Sequence, residues 1–213
     1  MAVDWKGNKH KPRVPTALYD LTEEPDQSAM GKELTDRRSF FVWFAPPCGT
    51  FSRAREIPVP KWLLAQGAPE VRPLRDKEYP LGKPDLKPIE QLRVAKGNIL
   101  ARVTADMCTR MLKAKGYFAI ENPRRSWIWE HPAMRALSSL SGIRFVDFQS
   151  CMFGGLRDKW TSLLTNLPDA EVLARVCDKS HEHAPWGLHR GKRWTFNSEK
   201  RSRISIWIVR RSG

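Results

Sequence analysis

The sequence predicts an α/β domain with a mainly parallel sheet. Two short apolar runs, Ser39–Ala45 and residues 117–120, are too short for most helices and are typical of buried strands. Between them, residues 90–115 carry apolar side chains at spacings near four, as one face of a helix does. The strand, helix, strand order predicts parallel strands joined by a crossover helix. The expected apolar face comprises Leu92, Ile99, Val103, Met107 and Met111.

Shorter patterns predict the remaining elements. Residues 14–20 are expected to form a strand, and residues 22–38 to contain one helix. A further helix is expected from residue 127 or 132 to residue 140. Alternation of apolar and polar side chains predicts strands over residues 143–148 and 203–209, whereas residues 163–173 are expected to mix a turn with a short helix.

The length of 213 residues predicts one domain with a small appendage. Residues 1–14 are expected to be a flexible basic arm, and residues 15–213 to form the domain. Within the domain, residues 56–90 hold seven of the sixteen prolines and predict a long inserted loop. Residues 177–213 are expected to form a basic C-terminal segment.

The net charge is +14 and the pI is near 10.0, which favours a polyanionic partner, with nucleic acid preferred. No apolar run approaches the roughly 20 residues of a membrane span, so no membrane association is expected. Four cysteines do not make a disulfide framework, and no secretory signal is visible. We therefore expect an intracellular protein, in the cytoplasm or the nucleus or nucleoid.

Two predicted strands end in side chains that can act together chemically. Cys48 follows the strand of Ser39–Ala45, and Glu121 follows the strand of residues 117–120. Because ligands of open α/β sheets bind beyond the carboxyl ends of the strands, both groups are expected at one edge of the sheet. A thiol beside a carboxyl group suits nucleophilic catalysis, although two polar strand ends without a catalytic role would give the same pattern.

The residues around these positions resemble a known family. Ala45-Pro-Pro-Cys-Gly-Thr-Phe-Ser52 is similar to the nucleophile loop of cytosine-C5 DNA methyltransferases, and Glu121-Asn-Pro123 is similar to their Glu-Asn-Val sequence. The family's Gln-x-Arg-x-Arg region is loosely similar to residues 148–161. Residues 40–187 together look like a divergent methyltransferase-like group found in viruses and mobile elements.

The resemblance implies a Rossmann-like domain of the class I methyltransferase type. In that family a Cys thiolate adds to C6 of a cytosine that has been flipped out of the duplex, and C5 then takes a methyl group from S-adenosylmethionine. By this match Cys48 is the nucleophile, Glu121 is the acid that assists at N3, and DNA is the favoured partner. The implied cofactor contacts are Asp20, Pro46 and Asn122.

The family's cofactor-binding glycine turn has no counterpart before Cys48. The upstream glycines are Gly7 and Gly31, and neither lies in a Phe-x-Gly-x-Gly sequence. Residues 17–22 resemble the family's third strand, which carries Asp20, so the first two strands are missing and the domain is expected to be N-terminally incomplete. A partner chain would then complete the cofactor site. The alternative is a non-catalytic nucleic-acid-binding protein derived from this fold.

Basic residues around the expected site predict phosphate contacts. Arg53 and Arg55 are also candidates for lowering the pKa of the Cys48 thiol, the alternative being a solvated basic loop. Residues 186–213 contain eight Lys and Arg and one acid, Glu199. They predict a phosphate-binding surface or, alternatively, an edge strand protected by charge against aggregation. The predicted nucleic-acid contacts are Ser52, Arg53, Arg55, Arg157, Lys159, Arg190, Lys192 and Arg193.

Residue types that bind metals gather near the end of the domain. Cys177, His181 and His183 fall within seven residues, and Cys151 is a candidate fourth ligand. Zinc prefers this mixture of thiolate and imidazole ligands, although the spacing matches no zinc-finger pattern. Phosphate binding or a structural turn is the alternative. A zinc-stabilised structural protein of a ribonucleoprotein is a third hypothesis for function.

Overall fold

The described residues form a mixed seven-stranded sheet with helices packed on it, and a separate two-stranded sheet. The computed structural model describes residues 2–4, 16–68, 70–184, 187–190, 193–196 and 205–210. The strands are β1 Ala2–Asp4, β2 Thr16–Leu18, β3 Ser39–Ala45, β4 Tyr117–Pro123, β5 Arg144–Gln149, β6 Trp160–Thr165, β7 Gly187–Arg190, β8 Arg193–Phe196 and β9 Ser205–Arg210. The α-helices are α1 Glu24–Thr35, α2 Lys61–Ala65, α3 Pro88–Lys113 and α4 Pro132–Ser138.

The large sheet has the strand order β2-β1-β9-β3-β4-β6-β5. Its parallel neighbours are β1 with β2 and β3 with β4, whereas the other neighbouring pairs are antiparallel. The expected α/β class is confirmed, but the expectation of a mainly parallel sheet is wrong. The physical reason is that β6 and β9 run opposite to the other strands, and each lies between two strands that share a direction.

The two predicted apolar strands and the helix between them are confirmed. β3 and β4 lie side by side, and α3 packs against both strands. Met107 and Met111 lie in the core, but Leu92, expected on the same buried face, is 62% exposed. The reason is that the first turns of α3 pack on the Pro-rich insert through Val94, which contacts Leu74 and Leu86.

Several segments differ from the sequence expectations. Residues 160–165 form β6, a strand buried between β4 and β5, where only a turn and a short helix from residue 163 onward had been expected. Ala2–Asp4 lie in the expected flexible arm, yet they form β1 and pair with β2 and β9, so that expectation is wrong for these residues. The Pro-rich insert includes the short helix α2.

None of the described helices combines the length and the apolar character needed to cross a membrane.

Candidate active site and candidate metal centre

Parallel pairing of β3 with β4 places Cys48 and Glu121 at the same edge of the sheet. Phe44 pairs with Ile120, so Glu121 immediately follows the paired segment, and Cys48 lies three residues past Ala45. The charge of Glu121 acts on the Cys48 thiol, which is half-buried. A thiol and a carboxylate therefore share the carboxyl edge of two adjacent strands, where α/β domains bind ligands.

Hydrogen bonds from neighbouring elements hold the loop that carries Cys48. The amide Nδ2 of Asn122, which is 1% exposed, donates to the carbonyl oxygen of Pro46 over 2.8 Å. The backbone N–H of Phe51 donates to the carbonyl of Cys48 over 3.0 Å, and the N–H of Trp127 donates to the carbonyl of Phe51 over 2.9 Å. Pro46 and Asn122, which the resemblance implied as cofactor contacts, are thus hydrogen-bonded to each other. The buried Oδ1 of Asn122 has no partner among the described residues.

Lys159 is the cation that lies beside the thiol and the carboxylate. Its Nζ is 3.2 Å from Oε1 of Glu121. The antiparallel pairing of β6 with β4 produces this contact, because Pro123 pairs with Thr161 and the residues just before β6 reach the end of β4. The prediction made Lys159 a nucleic-acid contact, and in the structure its described partner is Glu121.

The Cys48 thiol has a raised pKa. Burial is the largest cause, the positive charge of Lys159 lowers the pKa, and the negative charge of Glu121 raises it. Arg53 and Arg55 were candidates for lowering this pKa, but neither is among the charges that shift it, and their guanidinium groups bind Glu56 and the carbonyl of Gly49. At neutral pH the thiol form therefore predominates before a substrate binds.

The residues after Cys48 stabilise their own loop. Arg53 forms an ion pair with Glu56 (Nε to Oε1, 2.9 Å) and lies 4.5 Å from the ring centroid of Trp127. Arg55 donates to the carbonyl of Gly49 over 3.1 Å, and the hydroxyl of Ser52 accepts from a backbone N–H two residues on. Phosphate binding by these side chains stays a prediction.

A buried arginine that the sequence pattern did not reveal supports the same loop. Arg75 is 1% exposed, its guanidinium carbon lies 3.8 Å from the ring centroid of Phe51, and Nη2 donates to Oγ1 of Thr50 over 3.2 Å. Burial lowers the pKa of Arg75 to about 10. Gly97 of α3 allows this approach, because a Cβ there would lie 2.8 Å from Oγ1 of Thr50.

The remaining residues that were predicted to contact the cofactor or nucleic acid lie in several separate parts of the chain. The Asp20 carboxylate, expected to contact the cofactor, accepts from the N–H and hydroxyl of Thr22 over 3.0 and 2.7 Å. The carbonyl of Arg157 accepts from the Ser150 hydroxyl over 3.0 Å. Of the basic C-terminal residues, Arg190 ends β7 and Arg193 begins β8, whereas Lys192 lies outside the described residues.

The structure brings the four predicted metal ligands together. One ligand atom from each of Cys151, Cys177, His181 and His183 lies within 4.8 Å of all the others. Sγ of Cys177 is 3.8 Å from Nε2 of His181 and 3.5 Å from Nε2 of His183. Cys151 is buried at the turn after β5, and the other three residues lie on the segment that follows residue 176. These atoms form a compact set of two sulfur and two nitrogen donors.

Comparisons with protein-family models, with curated proteins and with solved structures give no significant match. The chemistry of both sites is therefore inferred from their own residues.

Proposed function

We propose that the protein acts on cytosine in nucleic acid through addition of Cys48 to C6, in the manner of the cytosine-C5 methyltransferases that its sequence resembles. The placement of Cys48 and Glu121 at the ends of adjacent parallel strands supports this most strongly. Both groups belong to segments that carry the resemblance, and the contact between Asn122 and Pro46 links those segments.

The addition needs a thiolate and an acid that both contact the cytosine ring. The Cys48 sulfur would form a bond to C6 while the π electrons of the C5–C6 double bond form a C4–C5 double bond and those of the N3–C4 double bond move onto N3, leaving an enamine that is nucleophilic at C5. Glu121 would take the proton that the Cys48 thiol loses and donate it at N3, as a hydrogen bond or by full transfer, and so stabilise the charge that develops there. Lys159 would offset the negative charge beside the thiol while the thiolate forms.

The direction of the strands supports a relation to the Rossmann-like domains. In the order 3-2-1-4-5 of that fold, the first strand lies between the second and the fourth. In this sheet β2, β1, β3 and β4 share one direction and would take the places of strands 3, 2, 4 and 5. The antiparallel strand β9 lies in the place of strand 1. In the family, the glycine turn follows strand 1. Because β9 runs in the opposite direction, no parallel strand in that place leads into such a turn.

S-adenosylmethionine is the methyl donor that the resemblance implies, and residues 16–68 and 70–184 do not fit it by themselves. The carboxylate of Asp20 accepts a hydrogen bond from the hydroxyl of Thr22, and the amide nitrogen of Asn122 donates one to the carbonyl of Pro46. None of the strand-to-helix connections in these ranges is a short glycine-rich turn of the kind that admits a cofactor close to the backbone. Other residues or a partner chain would have to supply those contacts, so we limit the proposed chemistry to the addition at C6.

A non-catalytic nucleic-acid-binding protein is the second candidate. The raised pKa of Cys48 and the position of β9 favour it, because both oppose methyl transfer. Calorimetric titration with S-adenosylmethionine and with its demethylated product separates the two candidates. Binding of either compound supports the methyltransferase, whereas no binding by the folded chain, alone and with nucleic acid, supports the binding protein.

Covalent trapping tests the proposed addition directly. Oligonucleotides in which pyrimidin-2-one replaces cytosine have a more electrophilic C6 and would be incubated with the whole chain. Intact mass and peptide mapping should show an adduct on Cys48 that Cys48→Ser abolishes and the matched thiol control Cys108→Ala retains, since Cys108 is buried in α3. An adduct on another cysteine, or none with folded protein, contradicts the proposal.

A further inference from the structure

We propose that Cys151, Cys177, His181 and His183 bind one zinc ion that clamps residues 175–184 onto the turn between β5 and β6. This inference does not use the proposed reaction at Cys48. The types of the four ligands, the distances between their ligand atoms and the hydrogen bonds around them support the zinc site.

The distances suit tetrahedral zinc. With Zn–S bonds of about 2.3 Å and Zn–N bonds of about 2.0 Å, a tetrahedral ion separates sulfur from nitrogen by about 3.5 Å and two sulfurs by about 3.8 Å. The described separations from Sγ of Cys177 to the two imidazole nitrogens are 3.8 and 3.5 Å. All four ligand atoms lie within 4.8 Å of one another, so small side-chain movements would complete the geometry. Two thiolates with two imidazoles are a set that structural zinc sites use.

The backbone around Cys177 donates a hydrogen bond to its sulfur atom. The N–H of Lys179 donates to Sγ of Cys177 over 3.3 Å, and Lys179 has a φ of 61°, which turns the chain toward His181. The Asp178 carboxylate accepts from the N–H and the hydroxyl of Ser180, which closes the same turn. Hydrogen bonds to a ligand atom orient it and are a regular feature of metal sites.

The ligand-bearing segment is already attached to the turn that carries Cys151. The N–H of Cys177 donates to Oε1 of Gln149 over 2.8 Å, and the N–H of Gln149 donates to the carbonyl of Arg175 over 2.9 Å. At the other end, the N–H of Ala184 donates to the carbonyl of Leu156 over 2.7 Å. Zinc would therefore join two segments that the chain places side by side, and it would stiffen the loop that leads to Lys159.

Metal analysis of the whole chain tests the site without nucleic acid. Protein purified from zinc-containing medium should hold about one zinc per chain, and the cobalt-substituted form should show the visible bands of tetrahedral cobalt with sulfur-to-cobalt charge transfer. Cys177→Ser and His183→Ala should lower the zinc content to about a tenth or less. The matched controls Cys48→Ser and His131→Asn, which change the same residue types outside the cluster, should retain it.

Hydrogen exchange distinguishes a clamp from incidental binding. Removal of zinc by a chelator should speed exchange in peptides that cover residues 149–160 and leave peptides from the buried part of α3 unchanged. The inference is overturned if the wild-type protein contains no zinc, or if its cobalt-substituted form lacks the tetrahedral spectrum. It is also overturned by full zinc content in both ligand variants, a Cys151–Cys177 disulfide under reducing conditions, or unchanged exchange after zinc removal. None of these outcomes affects the reaction proposed for Cys48.

Discussion

Lys159 lies just before β6 and forms an ion pair with Glu121 of β4, with 3.2 Å between Nζ and Oε1. The two charges act on the Cys48 thiol in opposite directions, the lysine lowering its pKa and the glutamate raising it, on top of the larger effect of burial. Burial therefore has the largest influence on how much Cys48 thiolate is present at a given pH, and the ion pair adjusts it.

Removing either charge should shift the reactivity of Cys48 in a predictable direction. The alkylation rate of Cys48 with iodoacetamide should rise with pH, with a midpoint above the ordinary value for cysteine. Lys159→Gln should move that midpoint higher and Glu121→Gln should move it lower, because each variant removes one of the opposing charges. Peptide-resolved mass spectrometry separates Cys48 from the other thiols. Shifts in the same direction in two folded variants would contradict the assignment.

Gly97 should tolerate alanine poorly although it lies inside a helix. Alanine normally stabilises a helix interior by up to about 1 kcal/mol relative to glycine. Here the new Cβ would lie 2.8 Å from Oγ1 of Thr50 and 3.1 Å from Nη2 of Arg75. We expect Gly97→Ala to lower the free energy of unfolding by about 1–3 kcal/mol, since crowding in a packed region costs that much.

Gly31→Ala is the matched control for that measurement. Gly31 lies in α1, and the nearest atom to its added Cβ is Nη1 of Arg110 at 3.2 Å, at the flexible end of a side chain. Thermal or urea unfolding should show little loss, or a gain, for Gly31→Ala. Equal stabilisation by both alanines would mean that the Thr50 loop does not press on α3.

The basic C-terminal segment should contribute non-specific affinity for nucleic acid. Replacing Arg190, Lys192 and Arg193 by alanine should weaken binding to unrelated sequences alike. It should also flatten the log–log salt dependence by roughly two to three units, since each phosphate contact adds nearly one unit. Fluorescence anisotropy over a range of salt concentrations measures this slope.

The control for the salt experiment removes three exposed charges elsewhere. Lys32 and Lys113 lie near the carboxyl ends of α1 and α3, and Arg37 lies in the connection from α1 to β3. All three are therefore near the edge of the sheet opposite to Cys48. Their replacement by alanine should leave most of the slope unchanged. An unchanged slope in the C-terminal variant would assign its charge to protection of a strand edge.

Local patterns predicted the elements that form the centre of the sheet. β3 and β4 are continuous apolar runs and α3 repeats apolar residues along one face, so each is specified by its own sequence. β6 was missed because its buried residues do not alternate, and its antiparallel place between β4 and β5 depends on pairing with distant residues. The mixed sheet follows from the same non-local pairing.

In the candidate site, too, local motifs predicted some residues, whereas the contacts of others depend on the folded chain. The motifs located Cys48 and Glu121, and the spacing of Cys177, His181 and His183 suggested the cluster that Cys151 completes. Lys159 was assigned to phosphate because its contact with Glu121 depends on β6. The burial of Arg75 could not be predicted, because the carbonyl and hydroxyl acceptors that stabilise its charge meet only in the folded chain.

Exchange of the C5 hydrogen of cytosine with solvent tests the central claim most directly. Reversible addition of Cys48 to C6 lets C5 take a deuteron from D₂O, lose its original hydrogen as a proton and recover its double bond when the thiolate leaves, so no methyl donor is needed. We expect deuterium at C5 of cytosines in an oligonucleotide incubated with the wild-type chain. We expect none with Cys48→Ser and a rate reduced about 100-fold or more with Glu121→Gln. Equal incorporation with wild type and Cys48→Ser, or none with folded wild-type protein that binds the oligonucleotide, would contradict the central claim.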